Sequence, residues 1–383
     1  MDSWKNSRLP QKLKWAGARI LHYLLSNTVL LIAILLAIGT SFIVPPDELY
    51  WGYFDFKTLT CLFCTLAVIC ALKNIRFFTI LAQKIVAVAG NTRMAILLLI
   101  CITFVGSMLL ANDMALLTFL PLGYYVLYST NQEKHLAFVF IMQNIAANLG
   151  GMLTPFGNPQ NLYLYEKFQI ENAEFVSIMF PPFALAITMI FICCMTVKKE
   201  KMEIGQRDFA PLPKGRTAIY LALFVFSIAL VFRIVPYVFG LILVPAAIFL
   251  LDKKALKKVD YGLLLTFVAF FVFAGNMSRM EPVQNFFAGL LEKNTLLVSA
   301  GCCQFMSNVP TAILLSQFTE NYADLLRGVN IGGAGTLIAS LASLITFREY
   351  VALYPGSTGR YILKFSLYNF AFLGILAVFC SFL

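Results

Sequence analysis

The chain has 383 residues, of which 60% are hydrophobic and 13% charged, and carries a formal net charge of +10; its mean hydropathy is +0.80. A water-solvated domain is nearer half apolar and a quarter charged, so the composition excludes an ordinary soluble globule. It also excludes reading the positive charge as a nucleic-acid surface, because in a membrane protein an excess of Lys and Arg reports orientation.

The leader MDSWKNSRLPQKLKWAGARI is basic and partly amphipathic. No small-residue cleavage site follows the first apolar run, so residues 1–25 are expected to be an uncleaved cytoplasmic segment. NTVLLIAILLAIGTSFIV (27–44) opens a series of runs long enough, or nearly so, to cross roughly 30 Å of hydrocarbon. A span is expected near 26–44 and a second near 57–72. Between 73 and 93, Lys73, Arg76, Lys84 and Arg93 punctuate an apolar stretch, the pattern of an amphipathic helix lying in the cytoplasmic interface. Two short arms follow, 94–110 and 114–128, hinged at Asn112-Asp113; they read as a re-entrant hairpin over 94–130. A helix from 136 breaks at NLGGMLTPFGNPQN (148–161) within a segment reaching 170, and a span near 176–197 ends the first half.

The stretch KKEKMEIGQRDFAPLPKGR (198–216) is the natural linker. Beyond it, spans are expected near 217–235, 237–250 and 260–275. They are followed by an interfacial piece (277–294), a hairpin around MSNVPTA within 295–325, a broken helix around NIGGAGTLIASLASL within 328–346, and a last span near 361–383. The fold class is thus an all-α polytopic membrane protein with about 11 transmembrane segments. Treating both hairpins as re-entrant puts 23 of the 29 Lys and Arg in the cytoplasm with the N-terminus and leaves Lys57, Lys167, Arg233, Arg279, Lys293 and Arg327 outside. This asymmetry supports a multi-pass protein of the inner, plasma membrane, because counting either hairpin as a true span would invert everything after it.

The two broken segments align with each other. Asn148, Gly150, Gly151, Thr154 and Leu162 match Asn330, Gly332, Gly333, Thr336 and Leu344, and each follows a tip carrying Asn before a Pro-containing arm. In the layout above the first hairpin enters from the cytoplasm and the second from outside. Similar order with opposite orientation is the pattern of inverted-repeat secondary transporters.

Unwound backbone at membrane depth is tolerated only where it is buried in protein or lines a cavity. Its carbonyls suit a hard cation, whereas half-helix N-termini attract an anion. The expected substrate site therefore comprises Asn112, Asp113, Thr154, Pro155, Asn158, Gln160, Asn161, Ser307, Asn308, Thr311 and Thr336. The expected ion-coupling set is Asn112, Asp113, Asn148, Gly151, Asn308, Asn330 and Gly333. Asp113 differs from the rest, since Val309 takes its place in the second hairpin and a carboxylate at membrane depth is costly. It reads as a cation ligand or proton carrier, a role compatible with capping the second arm.

Nothing in the sequence points to hydrolysis or redox chemistry. There is no phosphate-binding loop, both His (His22, His135) are peripheral, and the nine Cys lie mostly in apolar runs as buried thiols, not as metal ligands. No cofactor and no metal are expected beyond a transported Na⁺ or H⁺.

These motifs, ANDMALLTFLP then NLGGMLTPFGNPQNLYLY, and SNVPTAIL then NIGGAGTLIASLASLI, resemble the ion transporter superfamily of divalent-anion/sodium symporters, citrate transporters, arsenite permeases and some sodium/proton antiporters. The resemblance runs in order over nearly the whole chain. It implies a homodimer with a scaffold and a mobile transport domain, substrate held by the hairpins and broken helices, and elevator-type alternating access. The divalent-anion symporters carry Ser-Asn-Thr at both tips. Here the tips are Ala111-Asn112-Asp113 and Ser307-Asn308-Val309, and the Asn-Asp tip is more similar to the arsenite-permease and proton-coupled members. Two functions follow as expectations: transport of a small di- or tricarboxylate anion coupled to Na⁺ or H⁺, and arsenite or oxyanion efflux or Na⁺/H⁺ antiport with Asp113 as the exchanging group.

Overall fold

The computed structural model describes residues 27–201 and 211–383. The leader expected over 1–25 and the middle of the linker lie outside these residues.

The first half begins with α1 (Thr28–Ser41) and α2 (Phe56–Asn74), the latter started by the Asp55 side chain, which accepts from the Thr58 amide. Next come α3 (Phe77–Val86), α4 (Thr92–Leu109) and α5 (Asn112–Ser129). After them run α6 (Leu136–Gly150), α7 (Pro159–Lys167) and α8 (Asn172–Met195). The second half holds α9 (Lys214–Val231), α10 (Tyr237–Leu251), the short α11 (Lys253–Lys257) and α12 (Tyr261–Ser278). Then follow α13 (Glu281–Met306), α14 (Asn308–Leu315), α15 (Tyr322–Ile331), α16 (Leu341–Leu353) and α17 (Thr358–Cys380).

Seven helices among the described residues are long and apolar enough to cross a membrane, and α1, α3 and α10 are shorter apolar helices. The described residues form no β-strand; a single antiparallel bridge joins Asn91 to Lys201. Large apolar side chains such as Phe180, Val225, Ile242 and Leu363 stand exposed on the outer helix faces. In water such faces are sticky patches, whereas in lipid they match the solvent. The chain is an all-α polytopic membrane protein.

Two boundaries differ from the sequence reading. The amphipathic helix expected over 73–93 covers only Phe77–Val86, because α2 runs on through Lys73 and Asn74 until Arg76 turns into the left-handed region (φ 60°). The hinge of the first hairpin is Leu110-Ala111, both extended, and not Asn112-Asp113. The Asn112 side-chain Oδ1 accepts from the Asp113 amide at 2.9 Å, so the asparagine starts the second arm instead of making the turn.

The halves repeat each other in contacts as well as order. α1 packs along α12 while α10 packs along α2, the same pairing with the halves exchanged. α13 breaks at Asn294 (φ −166°, ψ 91°), so that its first part corresponds in order to α3. Asn294 then caps the next arm by accepting from Leu297 N at 2.8 Å, as Asn91 caps α4 by accepting from Met94 N at 3.0 Å. The hairpins enter from opposite ends of α8. Beside its C-terminal end, the Thr92 amide donates to Glu200 O at 3.0 Å and Gln132 Nε2 to Glu200 Oε2 at 2.8 Å, which ties down the open end of the first hairpin. At its N-terminal end, Tyr322 just beyond the second hairpin donates to Glu174 at 2.6 Å.

Candidate functional site

Each break in a helix is held against its hairpin by the same bond. Thr154 Oγ1 donates to Met108 O at 2.7 Å, and Thr336 Oγ1 donates to Gln304 O at 2.9 Å. Met108 and Gln304 each stand four residues before the tip asparagine. Gly150 lies so close to α4 that a Cβ there would sit 2.3 Å from Phe104 O, and a Cβ on Gly332 would meet Cys303 Sγ at 2.9 Å. The glycines let the broken helices approach the hairpin arms at backbone distance.

Buried amides then stitch the halves together. Asn112 Nδ2 donates to Asn148 Oδ1 at 3.0 Å, and Asn148 and Asn144 pass the chain on to Asn369, each link 3.4 Å. Asn330 Nδ2 donates to Leu326 O at 2.8 Å and to Asn161 Oδ1 at 2.6 Å, while its oxygen receives Asn158 at 3.2 Å and Gln160 at 3.4 Å. These bonds occupy amide donors. The acceptors Asp113 Oδ1, Asn158 Oδ1 and Gln160 Oε1 remain buried without a partner. Leaving such oxygens unmatched is costly, and all three call for a donor or a cation.

A cavity of about 390 Å³ opens among these groups. Four helix starts reach it: Asn112 and Asp113 of α5, Pro159 and Gln160 of α7, Asn308 and Val309 of α14, and Leu341 of α16. A helix N-terminus carries about half a positive charge in unpaired amides, so four of them make an anion-attracting floor. Asp113 sits in the first turn of one and offsets it.

Of the residues read from the sequence, Asn112, Asp113, Gln160, Ser307 and Asn308 line this cavity. Asn148, Asn158, Asn161 and Asn330 form the buried network behind it. Thr154 and Thr336 spend their hydroxyls on the hairpin backbone, and Thr311 Oγ1 donates to Ser307 O within its own helix at 2.7 Å. Pro155 is buried in the break and lies outside the cavity wall. Gly151 and Gly333 pack against the network, within 2.5 Å of Asn158 Oδ1 and 3.2 Å of Asn308 Nδ2 for an added Cβ.

Sequence reasoning passed over several groups. Asn144, one turn before Asn148, shows itself by helical spacing alone. Gln304 clasps the second break through three bonds, Nε2 to Gly332 O (2.9 Å) and Ala334 O (3.3 Å) and Oε1 from Thr336 N (2.8 Å). Gly335 answers it with φ +131° and no side chain, since a Cβ would lie 2.1 Å from Gln304 Oε1. Asp260 and Arg348 also line the cavity.

At the other end of α12 lies a second cavity of about 460 Å³, bounded by Lys57, Tyr163, Glu166, Lys167, Ser278 and Gln317 among others. Glu166 of α7 is buried and shared by two cations, with Lys57 Nζ at 2.7 Å and Arg233 Nε at 3.4 Å from Oε2. Arg233 also donates to Tyr165 O at 2.6 Å and Ile170 O at 3.2 Å and stacks over the Tyr165 ring at 4.2 Å. A single buried acid gave no sequence signal for this clasp, because its partners come from α2 and the α9–α10 turn.

Known proteins are similar to this chain over most of its length. The family model described as citrate transporter matches residues 18–346. An uncharacterized transporter of Methanocaldococcus jannaschii is 32% identical over 308 residues, which cover 80% of this chain and 84% of that one. The inner membrane protein YbiR of Escherichia coli is 29% identical over 322 residues, covering 82% and 86%.

Proposed function

The chain belongs to the citrate transporter family, and from that premise we propose that this secondary transporter moves a small di- or tricarboxylate anion by alternating access, coupled to Na⁺ or H⁺ at Asp113. The observation that carries the reading is the convergence of four helix N-termini on one cavity. Each end is worth about 0.3–1 kcal/mol to an anion, and up to roughly 2 kcal/mol when partly buried. Coupling follows from the position of Asp113. Its charge opposes the dipole that an anion needs, so a bare carboxylate and a bound anion disfavour each other, and a cation or proton at Asp113 relieves the conflict. The partnerless oxygens of Asp113, Asn158 and Gln160 supply acceptors for that cation.

The Lys and Arg count favours a cytoplasmic position for the α12 N-terminal end, just after KKALKK, so the substrate cavity faces inward and the cavity bounded by Glu166 faces outward. The N-terminus is then cytoplasmic and the membrane the inner, plasma membrane. In an elevator cycle α1, α2, α9, α10 and α12 form the scaffold, held as a homodimer, and the hairpins with the broken helices move.

In proteoliposomes, citrate or succinate enters when an inward Na⁺ or H⁺ gradient is imposed, and Asp113→Asn abolishes the gradient dependence while carboxylate exchange continues. No carboxylate flux under any gradient sinks the reading. The same unpaired acceptors favour a second reading, cation/proton antiport or oxyanion efflux through Asp113. Gradient-driven proton release with Na⁺ alone, or arsenite efflux, each without carboxylate, would select it.

A further inference from the structure

The substrate cavity has a second anion-favouring feature that the helix starts do not explain. Leu341, Leu344 and Arg348 fall at i, i+3 and i+7 on one face of α16, and all three line the cavity. Arg348 stands roughly 10 Å along the axis from the start of α16 at about 1.5 Å per residue. Arg348 is exposed, and because helical side chains lean toward the N-terminus of their helix, its guanidinium has the reach to swing back along the wall into the cavity. Arg348 makes no hydrogen bond or ion pair among the described residues. The facing carboxylates are otherwise placed. Asp260 caps α12 by accepting from Leu263 N at 2.9 Å, and Asp113 lies in the first turn of α5. The cavity therefore offers helix N-termini at its floor and an unpaired planar cation along its wall.

Building on the carboxylate reading above, we infer that Arg348 is a specificity-determining residue that selects anions with two acidic groups. One carboxylate of the substrate lies at the helix starts, and a second is received by the guanidinium in a two-bond fork. A monocarboxylate of the same length fills only the floor, and an uncharged solute uses neither feature.

The test uses the full chain in proteoliposomes, with citrate, succinate and butyrate as the probes, the last two matched in carbon number. Arg348→Gln raises the half-saturation concentration for citrate and succinate by at least about tenfold and leaves that for butyrate within about twofold. Arg348→Lys falls between, because an ammonium keeps the charge and loses the fork. Glu349→Gln, at the adjacent exposed position, changes none of the three and controls for disturbance of α16. Unchanged dianion values in Arg348→Gln, or an equal loss for butyrate, overturn the inference while leaving carboxylate transport intact. Absence of flux for all three acids in the unaltered protein overturns the transport reading and this inference with it.

Discussion

The two hairpin tips share an asparagine and part company on either side of it. Asn112 and Asn308 each accept from the following amide at 2.9 Å, so the backbone turns into the second arm in the same way. After the asparagine the first tip has a carboxylate and the second has valine. Before it, Ala111 is relaxed at φ −54°, whereas Ser307 sits at φ +74°, ψ 159°, a conformation that costs a non-glycine residue about 1–3 kcal/mol. The breaks differ likewise. Asn161 ties the first from the helix that follows, through Gly151, Met152 and Thr154 oxygens, and Gln304 ties the second from the hairpin arm. One repeat carries charge and unmatched acceptors, and the other carries strain and a closed clasp. A two-fold scaffold fixes where the helix ends meet and leaves each half free to take a separate task.

The sharpest way to break this comparison is to move the acid. Asp113→Val is expected to lower gradient-driven uptake by a factor on the order of 100. Adding Val309→Asp does not restore it, because the second break presents Ser340, Ala342 and Ser343 where the first presents Asn158, Gln160 and Asn161. Recovery of gradient-driven uptake in the double variant would make the tips equivalent. A smaller effect separates the packing glycines. Gly150→Ala drives a Cβ to 2.3 Å from the Phe104 carbonyl of its hairpin arm, against 2.9 Å from Cys303 Sγ and 3.0 Å from Ala300 Cα for Gly332→Ala. Both destabilise, by roughly 1–3 kcal/mol, and the first lowers the thermal midpoint in detergent further. Equal midpoints would mean that the arms yield alike.

The smallest effect concerns the open end of the first hairpin. Lys134 hydrogen-bonds Glu200 at 2.6 Å, with Gln132 alongside, and holds its carboxyl below the ordinary value of 4.5. A depressed carboxylate contributes fully above its unfolded value and is lost as pH falls through the folded one. The contact is therefore complete above pH 4.5 and is lost only as pH falls through the lower folded-state value. At pH 7, Glu200→Gln is expected to accelerate limited proteolysis beside Lys198, Lys199 and Lys201 slightly; an unchanged rate would remove the Glu200 carboxylate from the anchoring of the hairpin.

The architecture was readable because membrane helices advertise themselves. Apolar runs, Gly-Gly breaks and the Lys/Arg asymmetry gave the element order, the hairpins and the repeat, and the chain is polytopic and all-α as expected. The asparagines that meet in the buried network were visible as polar residues out of place. The roles of Thr154, Thr311 and Thr336 were not, because a hydroxyl beside an unwound turn bonds the nearest carbonyl, and which carbonyl is nearest depends on tertiary approach. Gln304 lies in an unremarkable stretch, CCQFM, and its three bonds exist only because Gly335 leaves room. The hinge was misplaced by two residues because Asn-Asp reads as a turn, while here the asparagine is the first residue of a helix.

Glu166 has a consequence for the membrane potential. Glu166 belongs to α7, whereas its partners Lys57 and Arg233 belong to α2 and the α9–α10 turn, so in the elevator cycle proposed above the carboxylate would travel relative to both cations. A single charge crossing the full field of 100 mV exchanges about 2.3 kcal/mol with it. On that proposed cycle, Glu166 would carry its charge through part of this field, and the transport rate would depend on the membrane potential.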